Sequence, residues 1–378
     1  MRVVMLSKAL VSGEYQRKCE LIAAHDDIQL TVFAPMAWAG QLLERTHTSG
    51  YTLRPLPIHF NGNFHLHYYP TLGRELAVTR PDVFHIDEEP YNLATFLALR
   101  ATLNMRHRGE TAVALPIRTL FFTWQNLLRR YPPPFSWMER YVLTHIDGAI
   151  AGNQEAAQVC RTKGYLGDIA VIPQFGVDEN RFYPVERGGR EKDSFTVGYA
   201  GRLVPEKGVD LLLHALIGLP EHVRLVVVGD GAERGALEQL SRTLGLGARV
   251  TFCPPVSSSE MPHVYGQFDV LVLPSRTQAN WKEQFGRVLI EAMACGVPVI
   301  GSTCGEIPTV IGEAGLLFTE NDVVELRAHL LCLVERPALR SELAQRGRTR
   351  ILAHYTMRRI ADRTVEVYRQ LLSSAKRV

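Results

Sequence analysis

Several features that would narrow the function are missing from this sequence. It contains no apolar run of about 20 residues, the length that a membrane-spanning helix requires. Its six cysteines form no CxxC pair and have no metal-like spacing with histidine, so we expect reduced, mostly buried thiols. The beginning, MRVVMLS, lacks the apolar segment of a signal peptide. We therefore expect a cytoplasmic protein and leave open a peripheral contact with the inner membrane face.

Neither sign of charge predominates. The 42 lysines and arginines against 39 aspartates and glutamates give a net charge of +3, which is too small to predict binding to nucleic acid. Local pairs such as Arg129 and Arg130 could meet an anionic surface, although solvated side chains explain them at least as well. The apolar fraction of 46% and the charged fraction of 21% are those of a folded globular protein.

The pattern of apolar segments predicts two α/β domains. A chain of 378 residues exceeds the usual size of one domain. Predicted strands alternate with predicted helices in both halves, which favours parallel sheets. The predicted strands are residues 3–6, 30–34, 51–56, 83–86, 119–122, 148–151 and 170–173 in the first half and residues 196–199, 223–228, 249–252, 270–273 and 298–301 in the second.

We place the linker between the two domains in a segment rich in glycine and charge, residues 185–194. The predicted N-terminal domain comprises residues 1–184, and the predicted C-terminal domain comprises residues 185–355. Helical periodicity towards the end of the chain predicts a helix within residues 356–378. We expect the apolar side of this helix to pack back on the N-terminal domain.

Residues 283–298 carry two carboxylates eight positions apart. Gly286 lies where a loop enters a predicted helix, Glu283 lies just before that helix, and Glu291 falls about two turns beyond Glu283. The amides near Phe285 and Gly286 are then unpaired donors at a helix start, which favours a phosphate or a hydroxyl-rich ligand. Glu283 and Glu291 could accept hydrogen bonds from a sugar or a ribose. The alternative is an ordinary surface helix with two solvated glutamates.

The segment GRLVPEKG follows a predicted strand and opens a helix. It begins with Gly201 and places Arg202 and Lys207 five residues apart. Arginine can bind phosphate oxygens with its planar fork and lysine adds a mobile point charge, so the pair could stabilise a departing nucleotide. Two solvated charges on a loop are the alternative.

A second glycine motif, VVVGDG, includes Gly229 and is followed by Gly235. Alone it would suggest a dinucleotide site and an NAD-type oxidoreductase. Its GxGxxxG spacing departs from GxGxxG, and it lies in the middle of the chain. The motif is therefore a weak signal for NAD.

Polar side chains follow two predicted strands of the N-terminal half. Asp87, Glu88 and Glu89 come directly after one strand, and Trp124 and Asn126 come shortly after the next. In open α/β sheets, ligands bind beyond such carboxyl ends. A helix N-terminus explains the acidic residues equally well, and core packing explains the tryptophan equally well.

The motifs GRLVPEKG, VVVGDG and EQFGRVLIEAMACGVPVIGS occur in this order. Together they resemble glycosyltransferase family 4, and the C-terminal half carries the resemblance. The resemblance implies the GT-B architecture, which has two facing Rossmann-like domains with the nucleotide sugar in the cleft and a C-terminal helix that returns to the N-domain. It also implies transfer of the sugar with retention of anomeric configuration.

The resemblance further assigns roles to individual residues. Arg202 and Lys207 are expected to bind the donor diphosphate, Glu283 the sugar hydroxyls and Glu291 the ribose. The first three form the expected catalytic set. Gly13 matches the first glycine loop of the family. The expected donor-binding residues are Gly13, Gly201, Gly229, Phe285, Gly286, Arg287 and Glu291.

The N-terminal half departs from the family pattern at one position. Many relatives have a histidine after the strand predicted at residues 119–122, where this chain has Thr-Trp-Gln-Asn. Another group is therefore expected to orient the acceptor hydroxyl. The candidates are Glu88, Glu89, Trp124 and Asn126, while Asp87 is expected to cap the following helix.

The sequence thus predicts a retaining, metal-independent hexosyltransferase with no cofactor. Its donor is expected to be a UDP- or GDP-sugar, and its acceptor a hydroxyl of a glycan, a lipid-linked molecule or a small molecule, in polysaccharide or glycolipid biosynthesis. No nucleic-acid partner is expected. Two alternatives stay open, an NAD-type oxidoreductase and a non-catalytic module that binds sugar nucleotides.

Overall fold

The computed structural model describes residues 1–107, 117–185 and 194–374. The chain divides into two compact units, which we call the first and the second unit. The first unit contains Met1–Phe175 and the C-terminal segment from Met357, and the second contains Gly176–Thr356. Most of the predicted linker, residues 185–194, lies outside the described residues.

The division falls before the predicted boundary at residue 184, because residues 176–185 associate with the second unit. The amide of Val177 donates to the carbonyl oxygen of Tyr355 at 2.9 Å. The ring of Phe182 lies 6.4 Å from that of Tyr265 between centroids. Backbone pairing and aromatic packing thus hold this segment on the second unit.

Strands and helices alternate through most of the described chain. The strands are β1 (Arg2–Leu6), β2 (Gln29–Pro35), β3 (Ala37–Trp38), β4 (Gln41–Leu42), β5 (Thr52–Leu56), β6 (Val83–Ile86), β7 (Arg118–Thr123), β8 (Gly148–Ala151), β9 (Asp168–Val171), β10 (Phe195–Ala200), β11 (Val223–Val228), β12 (Val250–Cys253), β13 (Val270–Leu273), β14 (Val299–Ser302) and β15 (Leu316–Phe318). The helices are α1 (Arg17–Ala23), α2 (Leu72–Thr79), α3 (Leu93–His107), α4 (Phe135–His145), α5 (Gln154–Thr162), α6 (Val209–Leu216), α7 (Arg234–Thr243), α8 (Met261–Gly266), α9 (Arg287–Ala294), α10 (Ile307–Ile311), α11 (Val323–Glu335), α12 (Pro337–His354) and α13 (Met357–Ser374). None of these helices is long and apolar enough to cross a bilayer.

Each unit is built on a parallel sheet. In the described residues of the first unit, seven strands pair in the order β5-β2-β1-β6-β7-β8-β9. In the second, six strands pair in the order β12-β11-β10-β13-β14-β15. All four residues of β6 and all four of β13 are buried, as expected for strands covered on both faces. The predicted pair of Rossmann-like α/β domains is confirmed.

Helix α13 returns to the first unit, as predicted. Its apolar side chains Ile360, Val365, Tyr368 and Leu371 belong to the same buried core as Val3 of β1. The hydroxyl of Tyr368 lies 2.8 Å from Nδ1 of His85 in β6. Burial of one helix face, together with this polar contact, fixes the end of the described chain on the first unit.

Candidate active site

A pocket of about 380 Å³ opens in the second unit, beyond the carboxyl ends of β10 and β11. This edge is where ligands bind in open α/β sheets. Five of the predicted site residues line it, and these are Gly201, Arg202, Gly229, Arg287 and Glu291. Tyr265, Ser258 and Pro255 complete part of the wall.

Two glycines form the floor of the pocket. Gly229 has a φ of +142°, and a Cβ atom placed on it would lie 1.9 Å from the carbonyl oxygen of Gly201. Gly201 itself has a φ of +149°. The loops after β10 and β11 are joined there by a 2.9 Å hydrogen bond from the amide of Leu203 to the carbonyl oxygen of Asp230. A side chain at residue 229 would force these loops apart.

Glu291 lies in the wall of this pocket with both carboxylate oxygens engaged. Nε of Arg287 donates to Oε1 at 2.6 Å, and the hydroxyl of Tyr265 donates to Oε2 at 2.7 Å. Burial, and secondly the Glu291 carboxylate, raises the pKa of the Tyr265 hydroxyl, so this hydroxyl remains a donor. Because an ionised carboxylate has about four acceptor positions, Glu291 can still accept from a diol. Tyr265 was not among the residues predicted from the sequence.

Lys207 and Glu283 form an ion pair next to the start of α9. Nζ of Lys207 lies 2.6 Å from Oε2 of Glu283, and the hydroxyl of Ser275 donates to the same oxygen at 2.9 Å. The side chains of the lysine and the glutamate are 14% and 10% exposed. The structure therefore brings together two of the predicted catalytic residues in a largely desolvated position.

Arg202 is arranged differently from Lys207. Its side chain is 68% exposed, and one of its guanidinium nitrogens lies 4.0 Å from a carboxylate oxygen of Glu206. The backbone is fixed instead, because the buried hydroxyl of Tyr199 donates to the carbonyl oxygen of Arg202 at 2.7 Å. The guanidinium can thus reorient at the edge of the pocket when a ligand binds.

Helix α9 begins where the sequence predicts it. Gly286 precedes the helix with a φ of +79°, a conformation that glycine adopts without strain. The amides in the first turn of a helix lack partners within the helix, and Arg287 and Val288 of this turn line the pocket. Phe285 is buried, with its ring 5.8 Å from that of Tyr355 between centroids. This helix start can therefore present donors to an anionic ligand.

Gly13 lies in the first unit, in a buried position. Its amide donates to Oε2 of Glu44 at 2.7 Å. A Cβ atom on Gly13 would lie 2.1 Å from Oγ1 of Thr46, so a larger residue would require the Thr46 side chain to move. A carboxylate thus contacts the amide that the family resemblance assigns to the donor. A role of Gly13 in donor binding stays a prediction.

The three acidic residues after β6 each have polar partners in the first unit. Asp87 accepts from the hydroxyl of Ser7 at 2.6 Å and does not cap a helix, since α3 begins only at residue 93. Its expected capping role is therefore wrong. Glu88 is fully buried and contacts the backbone amide of Lys8 at 3.2 Å and the Lys8 ammonium more closely. Glu89 is half-buried and accepts from the hydroxyl of Thr123 at 2.6 Å.

The surroundings of the Glu89 carboxyl perturb its pKa. Burial raises the pKa of Glu89, against the opposing effect of its hydrogen bonds from Thr123 and from the Trp124 amide. Trp124 donates from Nε1 to Oε1 of Gln174 at 3.0 Å, and its ring packs against Gly152. These contacts favour the packing role for the tryptophan. Asn126 is buried and donates to Glu155 at 3.1 Å.

Lys8 places a cation at this edge of the first sheet, and it was not among the residues predicted from the sequence. Nζ of Lys8 lies 5.6 Å from the ring centroids of both Trp38 and Phe64, beside Glu88. The position of Lys8 in the sequence could have indicated this contact, because Lys8 follows β1 in the same way that Glu88 follows β6. Because these parallel strands are neighbours, their carboxyl ends meet at the same edge.

Comparison with models of known protein families also divides the chain into two successive parts. A family model described as Glycosyltransferase Family 4 matches residues 21–181, and one described as Glycosyl transferases group 1 matches residues 185–350. The D-inositol 3-phosphate glycosyltransferase of Rhodococcus opacus is 31% identical over 250 residues, which are 61% of this chain and 55% of that protein. That of Mycobacterium tuberculosis H37Ra is 30% identical over 258 residues, 64% and 52% of the two chains. The chain thus spans about half the length of these curated relatives.

Solved structures share the fold over nearly the whole chain. Sucrose-phosphate synthase from Thermosynechococcus elongatus has a TM-score of 0.75 and 23% identity, covering 99% of this chain and 100% of that one. The Anabaena protein HepE in complex with UDP has a TM-score of 0.73 and 20% identity, with the same coverage. At these identities the likeness establishes the fold alone. The two family models match successive parts that together make up most of the sequence, and the chain belongs to the GT-B glycosyltransferases of the family 4 type.

Proposed function

We propose that the protein transfers a hexosyl group from a nucleotide-diphosphate sugar to an acceptor hydroxyl, with retention of configuration and without a metal ion. The observation that carries the proposal is the arrangement of Glu291 in the pocket of the second unit. A carboxylate held by Arg287 and Tyr265 lies beside a glycine floor and a helix start. A nucleotide offers a ribose diol and phosphates, and so fits all three features.

In the proposed complex, the ribose hydroxyls donate to Glu291 and the diphosphate lies near the start of α9. Lys207 and Arg202 then neutralise the charge that develops on the leaving diphosphate. Uridine nucleotides are the first donors to test, because structures of HepE contain UDP and UDP-glucose. GDP-sugars are the second. Since two cations of the chain are available for the leaving group, the proposal requires no divalent metal.

The proposed chemistry is attack from the face that the leaving group occupies. The acceptor oxygen forms a bond to the anomeric carbon, the bond from that carbon to the diphosphate oxygen breaks, and the acceptor proton passes to the departing oxygen. Glu283 is poorly placed to act as a nucleophile, because Lys207 and Ser275 already bind one of its oxygens. We assign it to the sugar hydroxyls instead.

The acceptor stays open between a glycan, a lipid-linked molecule and a small molecule. Glu89 is the favoured orienting residue in the first unit, because it is half-buried while the Glu88 side chain is fully buried. Asn126 is the next candidate. Orientation of one hydroxyl can contribute several kcal/mol to lowering the barrier. A cytoplasmic location and a peripheral membrane contact are parts of the same proposal.

The test is a thermal-shift screen with UDP-, GDP- and ADP-sugars and with NAD, followed by assays of donor hydrolysis and transfer with and without EDTA. A bound donor should raise the melting temperature by mass action. We expect a shift with one sugar nucleotide, turnover of it, and activity that persists in EDTA. A shift with NAD alone would favour an oxidoreductase. Binding of a sugar nucleotide without any turnover would favour a non-catalytic module.

A further inference from the structure

The segment between Ser275 and Glu283 forms a small hairpin in the second unit. The amide of Gln278 donates to the carbonyl oxygen of Trp281 at 2.7 Å, and the amide of Trp281 donates back at 3.3 Å. The hairpin is tethered at its base, where the amide and the hydroxyl of Thr277 donate to the carboxylate of Glu320 at 2.5 and 2.8 Å. These bonds give Trp281 a defined position.

The indole of Trp281 lies against the ammonium of Lys207. Nζ of the lysine is 4.9 Å from the ring centroid and 2.6 Å from Oε2 of Glu283. The lysine side chain is only 14% exposed, so little water competes with either contact. A cation over an indole face is attracted by the ring quadrupole, and the attraction is larger when the cation is desolvated.

The two partners of Lys207 differ in charge, and this difference matters for an anionic ligand. A second carboxylate in place of the indole would also hold the ammonium, but it would add a negative charge close to the diphosphate. The indole holds the ammonium without a net charge. Lys207 has three N–H donors, and its carboxylate contact uses at most part of them. An ammonium fixed in this way can still bind phosphate.

We propose that Trp281 is a positioning residue that fixes the Lys207 ammonium for the leaving diphosphate. This inference rests on the proposed function, because it concerns the donor site of that reaction. The lysine side chain is a flexible four-carbon stem. Without the indole, the ammonium keeps its contact with Glu283 but loses the second restraint, and it spends less time in the orientation that binds the β-phosphate. The protein then loses affinity for the diphosphate group and keeps its affinity for the nucleoside.

The test compares Trp281→Leu with Trp281→Phe. Leucine keeps an apolar side chain but removes the aromatic face, while phenylalanine keeps an aromatic face with a weaker quadrupole. The readout is the ratio of the dissociation constants for the nucleoside monophosphate and the nucleoside diphosphate, measured by titration calorimetry, which isolates the β-phosphate. We expect Trp281→Leu to lower this ratio, and kcat, by roughly two- to thirtyfold. Trp281→Phe should restore part of both.

Trp137→Leu is the matched control, since this tryptophan is 66% exposed and lies in the first unit. It should leave the ratio and kcat unchanged. Thermal melting of each variant shows whether the second unit stays folded. A further variant, Glu320→Gln, loosens the base of the hairpin and should lower the ratio and kcat less than Trp281→Leu does.

An unchanged ratio in folded Trp281→Leu overturns the proposal, as does equal loss in the leucine and phenylalanine variants. Failure of the proposed function is recognised separately. If the wild-type protein binds the diphosphate but transfers no sugar, the reaction is wrong, while the ratio still decides whether Trp281 positions Lys207. If the wild-type protein binds neither nucleotide, both proposals fail.

Discussion

Replacing Tyr265 by phenylalanine tests the arrangement at the base of the pocket. The change deletes one hydroxyl, which donates to Oε2 of Glu291 at 2.7 Å, and keeps the buried ring. The ring lies 6.4 Å from Phe182 and 6.3 Å from Phe268 between centroids, and phenylalanine preserves this packing. The Glu291 carboxylate then keeps its bond from Arg287 but loses a buried donor.

The expected cost follows from the charge of the acceptor. A hydrogen bond to a charged group contributes about 1.5–3 kcal/mol, against about 1 kcal/mol for a neutral acceptor. The second unit should therefore lose up to about 3 kcal/mol of its unfolding free energy, which corresponds to a lower melting temperature by roughly 3–10 °C. Glu291 is also less firmly oriented, so binding of the ribose should weaken.

The assay measures unfolding by urea and the dissociation constants of the ribonucleotide and the 2′-deoxyribonucleotide that the donor screen identifies. Tyr265→Phe should reduce the preference for the ribonucleotide by on the order of fivefold to tenfold, because in the proposed complex the ribose hydroxyls donate to Glu291. Tyr199→Phe is the matched control. Tyr199 is also buried, but its hydroxyl donates to a backbone carbonyl, that of Arg202. It should destabilise the fold by about 1 kcal/mol and leave the preference unchanged.

Two results would refute the reasoning. If Tyr265→Phe lowers stability as expected but the preference for the ribonucleotide stays the same, Glu291 does not hold the ribose. If both variants reduce the preference equally, the effect belongs to general loosening of the pocket. A double-mutant cycle of Tyr265→Phe with Glu291→Gln measures the coupling directly and should give an interaction energy of about 1 kcal/mol or more.

Three further changes test the other parts of the site. Lys207→Ala should lower kcat by on the order of 10² to 10³, since it removes the proposed charge stabilisation of the leaving diphosphate. A decrease in kcat of less than about threefold in a folded variant would contradict this role. Glu291→Ala should raise the donor KM more than it lowers kcat, because the ribose is bound alike in the ground and transition states, and steady-state kinetics decide between binding and chemistry. Glu89→Gln should weaken the dependence of stability on pH. Because burial raises the pKa of Glu89, the folded protein keeps a proton that the unfolded chain releases. The unfolding free energy of the wild-type protein should therefore fall as pH rises from about 4.5 through that raised pKa. Equal slopes of unfolding free energy against pH for the wild-type protein and the variant, measured by urea titrations at several pH values, would refute this.

The sheets could be predicted from the sequence because their central strands are buried on both faces. Such strands are largely apolar runs, and the predicted bounds of β6 and β13 are those observed. The hairpin of β3 and β4 and the edge strand β15 were missed. These strands have two or three residues each, which is too short to show any periodicity.

The candidate site could be predicted only where its geometry is local. Gly286, Arg287 and Glu291 lie within two turns, and helix periodicity places the arginine and the glutamate on one face. Tyr265 is 26 residues from Glu291, and Lys207 is 76 residues from Glu283. The spacing of residues along the chain carries no information on such contacts, since they depend on which strands become neighbours in the sheet.

The capping role expected for Asp87 shows a related limit. Capping patterns assume that a helix begins directly after the acidic residue, but five residues of loop and turn separate Asp87 from the helix that follows. Asp87 instead accepts from Ser7, which is 80 residues away and follows β1, and from Gln174. The carboxyl ends of neighbouring strands thus determine its environment.

Both candidate carboxylates of the second unit are paired with a cation, Glu283 with Lys207 and Glu291 with Arg287. An ion pair of this kind presents hydrogen-bond acceptors and donors side by side. A ligand that carries only anionic groups would have to compete with the carboxylate for the cation. A ligand that carries only hydroxyl groups would bind the carboxylate but would leave the cation without an anionic partner. A nucleotide sugar carries both kinds of group in alternation, with ribose hydroxyls, then phosphates, then sugar hydroxyls. It can therefore satisfy each member of the two pairs without leaving a buried charge unpaired, which is the costly outcome in a desolvated site.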